Sequence, residues 1–117
     1  MGGSFRVERV AELVLHDLSR LLSEEVRDPR LTDAVLTVHE VRLTRDLSRA
    51  DVFISALDDA RKKEILAALV KAKGFLRSQL AASLDLRRVP DLFFHFDSSI
   101  EEGFRLERLI EEANKSS

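Results

Sequence analysis

The sequence predicts an α+β fold, a small three-stranded sheet covered on one face by helices. Three observations predict it. Apolar residues recur at three- and four-residue steps in long stretches, they alternate in short stretches rich in Val and Phe, and Asp28-Pro29 ends the first helical stretch while Arg45-Asp46-Leu47 joins two alternating ones. At 117 residues, with 44% hydrophobic and 34% charged side chains, the chain suits one domain. Residues 1–5 read as a flexible start, 6–98 as the domain and 99–117 as a C-terminal helix with a short loose end.

Val7, Val10, Ala11, Val14, Leu18, Leu21, Leu22 and Val26 form one amphipathic stripe, so the first helix runs from Val7 and stops near Asp28-Pro29, where the residue before proline leaves helical geometry. Ala34 to Thr44 and Ser48 to Leu57 read as two strands of a hairpin. Leu36 and Val38 fall on one face but Val41 and Leu43 on the other, which calls for a bulge near His39 and Glu40 or for burial on both faces. Asp58-Asp59 can cap a helical region over about residues 60–86. In it Ile65, Leu66, Leu69, Val70, Ala72 and Leu76 make a stripe with Lys73 near its centre. A buried unpaired lysine is costly, so two helices broken at Lys73-Gly74 are expected, the second running from Phe75 through Leu76, Leu80 and Leu84. Arg87 to Asp97 reads as a strand with Leu92, Phe94 and Phe96 on one face and Pro90 at an edge or near its start. Ser99 and Glu102 fit a capping box for the last helix, through Phe104, Leu106, Leu109 and Ile110.

The net charge of −2 argues against a polyanion partner only until it is resolved along the chain. Residues 1–60 carry a net −4, residues 61–88 a net +6 and residues 89–117 a net −4. A basic block framed by acidic segments is an electrostatic footprint for nucleic acid. A solvated helix face is the other reading of the same block. Arg42, Arg45 and Arg49 around the hairpin add positive charge whose side of the molecule the sequence leaves open.

With no cysteine, disulfides, thiolate nucleophiles and sulfur-ligated metals are excluded, and no apolar run approaches a membrane span. His16, His39 and His95 stand apart, without a second imidazole at ligand spacing. Ser98-Ser99 lacks a nucleophile elbow, and the four glycines form neither a phosphate loop nor a dinucleotide fingerprint. No catalytic residue, metal or cofactor is therefore expected. Phe93 and His95 share one strand face and could imitate a base-stacking strand, but core packing is the preferred reading of the phenylalanines.

The element order resembles a single KH-like domain of type II, a module that clamps nucleic-acid backbone with a Gly-x-x-Gly loop. Here Ala72-Lys73-Gly74 occupies that loop's position. Together with Glu25-Val26-Arg27-Asp28-Pro29-Arg30-Leu31, Thr44-Arg45-Asp46-Leu47-Ser48-Arg49-Ala50, Lys71-Ala72-Lys73-Gly74-Phe75-Leu76-Arg77-Ser78, Leu86-Arg87-Arg88-Val89-Pro90-Asp91-Leu92 and Phe96-Asp97-Ser98-Ser99, it closely resembles the bacterial ribosome-binding factor A family from about Arg6 to Glu112. The resemblance implies a non-enzymatic, cytoplasmic assembly factor that binds the free small (30S) ribosomal subunit. It further implies a role in late maturation of 16S rRNA, in cold adaptation, and near the 5′ and decoding-region helices of that RNA. A monomer without a membrane association is expected. Many members extend into a basic C-terminal tail, whereas an acidic helix closes this chain, so no tail contact to RNA is expected.

Carried over by position, the RNA-binding residues are Lys71, Lys73, Gly74 and Arg77 at the break, then Arg87 and Arg88, then Arg61, Lys62 and Lys63, and last Arg45 and Arg49 in the hairpin. Recognition of folded RNA shape through phosphates is expected, since no stacking platform is evident. Reversing Lys73 and Arg77 to Glu is then expected to weaken association without loss of stability. A rival reading is a protein-interaction domain whose basic face meets an acidic protein surface.

Overall fold

The apolar stripe of the first helix becomes the main lid of the core. The computed structural model describes residues 2–57 and 59–96, and in it α1 spans Gly2–Arg20. The helix thus takes in Gly2–Phe5, the stretch read as a loose start, and buries Val14 and Leu18 completely. It continues into one widened turn, Leu21–Glu25, closed by the Val26 amide donating to the Leu21 carbonyl at 3.0 Å. Such a five-residue step rotates the helix face, and Leu21, Leu22 and Val26 all end up buried.

Asp28 does more than stop the helix. Its carboxylate accepts from the Arg30 amide and caps a short helix α2, Pro29–Thr32, with Pro29 at the first helical position. The single-turn helix, which residue spacing does not reveal, seats Leu31 in the core.

Strands β1 (Leu36–Leu43) and β2 (Arg49–Ala56) form the antiparallel hairpin, and β3 (Asp91–Phe96) adds parallel to β2, giving the order β1-β2-β3. The register shifts between Val38 and Glu40. Of the two alternatives the apolar pattern left open the structure takes the bulge, whose extra residue returns Val41 to the buried face that Val38 occupies. Ala50, Val52, Ile54 and Leu92 are fully buried, and Phe94 and Phe96 pack against the same core.

Helix α3 corrects the expected break. It runs without interruption from Lys62 to Leu84, a length of about 34 Å, and ends at Asp85 in the left-handed conformation. Its buried residues are Ile65, Ala68, Leu69, Leu76 and Leu80, while Val70, expected on the apolar stripe, and Phe75, one of the phenylalanines expected mostly to fill the core, are exposed. At 100° per residue that stripe leaves Lys73 at its edge, about 65° from the centre. There the ammonium lies 3.3 Å from an Asp91 carboxylate oxygen and 4.9 Å from the centre of the Phe93 ring. A break is needed only for an unpaired lysine, and the pairing removes that condition. Gly74 is an ordinary helical residue with nothing within 4 Å of where a Cβ would stand. Asp58 and the segment from Asp97 onward, with the Ser99–Glu102 capping box and the last helix, lie outside the described residues.

Candidate nucleic-acid interface

The ten cations expected to form the basic surface with Gly74 separate by their bonding. Lys73, Arg77 and Arg49 bond within the fold. The Arg77 guanidinium donates to the carbonyls of Pro90 at 3.1 Å and Val89 at 3.0 Å. Arg49 makes a two-point pair with Asp51 and lies 3.9 Å over the Phe93 ring. Lys62, first in α3, is half-buried with its ammonium 5.6 Å from the centre of the Phe96 ring.

The other six are exposed. Lys63 and Lys71 project from α3, Arg61 closes the short turn before it, Arg87 and Arg88 stand in the link to β3, and Arg45 sits at the hairpin tip. None of the six forms a hydrogen bond or ion pair with another described residue. Exposed cations that make no bond within the fold suit contact with phosphates.

Topology brings the hairpin and the α3–β3 link together. The Asp91 amide donates to the Ser48 carbonyl at 2.9 Å, and Arg49 stands opposite Asp91 in the parallel pairing. Arg45, Arg87 and Arg88 therefore share one end of the sheet, which answers for Arg45 the question the sequence left open. Asp46 lies at this end as well. Its carboxylate accepts from Ser48 and Thr44 hydroxyls and from the Ser48 amide, bonds that bring its pKa down from 3.8 to about 2, with Arg88 contributing a smaller pull.

The sheet face turned away from the helices corrects the reading of the aromatics. Phe93 and His95 do not join the core; with Phe53 they lie on that second face, where Phe53 and His95 stack at 5.2 Å. Cations cover the rings: Arg42 is 5.0 Å from Phe53, and Arg49 and Lys73 flank Phe93. His95 also reaches Asp51 at 2.7 Å. The acidic partners Asp51, Asp91 and Glu40 balance these cations, so the face carries little net charge. Among the described residues no cluster of three metal-ligating side chains occurs, and no helix is long and apolar enough to cross a membrane.

Arg27 and Phe75 join the candidates although residue patterns gave neither a binding role. Both line a groove between residues 25–28, which follow the first helix, and α3. The signal for Phe75 was its place 100° from Leu76, off the core stripe once α3 is continuous.

The profile of the ribosome-binding factor A family matches residues 6–110. The chain belongs to that family. It is 46% identical over 111 residues to the ribosome-binding factor A of Chromohalobacter salexigens, covering 92% of this chain and 83% of the relative. Identity with that of Macrococcus caseolyticus is 40%, over 96% of this chain and 97% of the relative. Among solved structures it is similar to ribosome-binding factor A from Thermus thermophilus, with a TM-score of 0.68 and 30% identity over 76% of this chain and 92% of that one. A homology model of the Thermus thermophilus factor, fitted into a cryo-electron-microscopy map of its complex with the 30S subunit, matches with a TM-score of 0.64 and 28% identity over 79% of this chain and 96% of that one. The fold shared with these family members is KH-like, and the chain has their mixed sheet and helices.

Proposed function

We propose that this chain is a non-enzymatic assembly factor that binds the free small ribosomal subunit through phosphates of 16S rRNA. The observation that carries the reading is the set of exposed cations at the sheet end and on α3 in a member of this family. A relative described in complex with the 30S subunit supports it.

The cations divide their roles as they divide their bonds. Arg45, Arg87, Arg88, Arg61, Lys63 and Lys71 contact phosphate, while Lys73, Arg77 and Arg49 shape the surface that presents them. The protein acts by differential binding, holding an immature rRNA arrangement until maturation removes the preferred surface. Through that action it supports late 16S rRNA processing in the cytoplasm and growth in the cold.

Sedimentation with ribosomal particles tests the reading. Co-migration with free small subunits and not with assembled ribosomes is expected. With about four to six phosphates contacted, affinity falls on the order of a hundredfold between 50 and 200 mM salt. A nearly flat salt response overturns phosphate contact, and a complex that survives nuclease digestion points to a protein partner.

A further inference from the structure

The groove beside Phe75 has a volume of about 370 Å³ and is floored by Val26, Ala68 and Ala72. Phe75 forms one wall and remains 43% exposed. On the helical wheel Ala68, Lys71, Ala72 and Phe75 cluster on one flank of α3, nearly opposite Lys73 and Arg77, whose side chains go to Asp91 and to the Val89 and Pro90 carbonyls just before β3. The groove is thus separate from the α3–β3 junction.

Its rim carries charges of both signs, but they are not equally available. Asp28 is held at two points by Arg30, which lowers its pKa, and Glu25 lies 3.7 Å from Arg20. Arg27 and Lys71 bond to no other described residue. The rim therefore offers two cations without a hydrogen bond or close ion pair, Lys71 feeling only the more distant charge of Asp28, above an apolar floor with an aromatic wall.

We propose that this groove takes an unpaired base of single-stranded RNA, stacked on Phe75 with its flanking phosphates against Arg27 and Lys71. A nucleotide combines a flat apolar ring with an adjacent anion, and the groove presents the complement of each in the same arrangement. An apolar protein side chain would use the floor and leave both cations idle. The inference rests on the reading that the chain binds RNA of the small subunit.

The test uses the full chain and free small subunits at fixed low salt. Phe75→Ala weakens binding about tenfold with an unchanged salt slope, because no charge is removed, while Phe75→Trp retains affinity. Benzoylphenylalanine placed at position 75 yields an rRNA adduct on irradiation. Wild-type affinity in Phe75→Ala overturns the proposal, and an adduct to a ribosomal protein overturns it in favour of a protein occupant. In a parallel arm, a mixed-sequence single-stranded RNA heptamer is titrated into the labelled wild-type chain. Amide shifts at Ala68, Lys71, Ala72 and Phe75 are expected. Their absence overturns the groove even if subunits bind, whereas their presence without subunit binding overturns only the proposed function.

Discussion

The Arg77 guanidinium reaches across from the middle of α3 to the Pro90 carbonyl, 3.1 Å away, one residue before β3 begins. Together with the Val89 carbonyl it gives two main-chain acceptors their partner at the link between helix and sheet. Arg77 therefore holds the fold, which alters what a charge reversal there does. Arg77→Ala is expected to lose about 2 kcal/mol of stability, the scale of hydrogen bonds to a charged group. Urea unfolding checks it, and an unchanged midpoint would remove the structural role. On this geometry, reversing Arg77 to Glu does not leave unfolding untouched, contrary to what the charge pattern implied.

Lys73 and Asp91 are only half-covered, so their pair contributes little despite the short distance. A double-mutant cycle with Lys73→Ala and Asp91→Ala is expected to give a coupling energy of less than about 1 kcal/mol. Chemical unfolding of the four proteins measures it.

Gly74 supplies a prediction opposite to that of a required break. It lies inside a continuous helix, and a Cβ there meets nothing within 4 Å. Gly74→Ala is expected to stabilise the protein by about 0.5–1 kcal/mol, since alanine loses less backbone entropy on folding. A raised melting temperature checks this; a lowered one would show that the glycine serves the fold in another way.

Arg87 and Arg88 are exposed and make no bond with a described residue. Changing each to Gln is expected to leave stability within about 0.5 kcal/mol. Each change lowers the salt slope of subunit binding by about 0.7–0.9 for every phosphate left without its cation. Binding isotherms at several salt concentrations, read beside an unfolding curve, separate the two effects.

The acid response centres on Asp46. Its pKa is about 2 in the fold against an ordinary value of 3.8, so its contribution to stability is complete above the ordinary value and fades as pH falls through the folded one. Asp28 and Asp51 are shifted the same way, by Arg30 and Arg49 respectively. Asp46→Asn is expected to be less stable than wild type at pH 5, with the gap narrowing toward pH 2. Urea midpoints across that range check the sign.

Periodicity and local turn chemistry were sufficient for much of this molecule. Residue spacing alone determined the α+β class, the stripe from Val14 to Val26 and the inward face of Leu92, Phe94 and Phe96, and it narrowed the region beside Glu40 to a bulge or two-sided burial, because each depends on neighbours a few positions away. The charge division around residues 61–88 was equally local. Tertiary structure decided whether each charge and each aromatic already has a partner. Lys73 looked unpaired and Phe93 looked buried until β3 came beside α3, bringing Asp91 to the lysine and cations to the ring. Such partners lie a dozen or more residues apart in the chain, and no local pattern encodes a pairing made only when the sheet closes against the helix. For the same reason the groove at Phe75 is invisible in the sequence: residues 25–28, after the first helix, and the middle of α3 make it together.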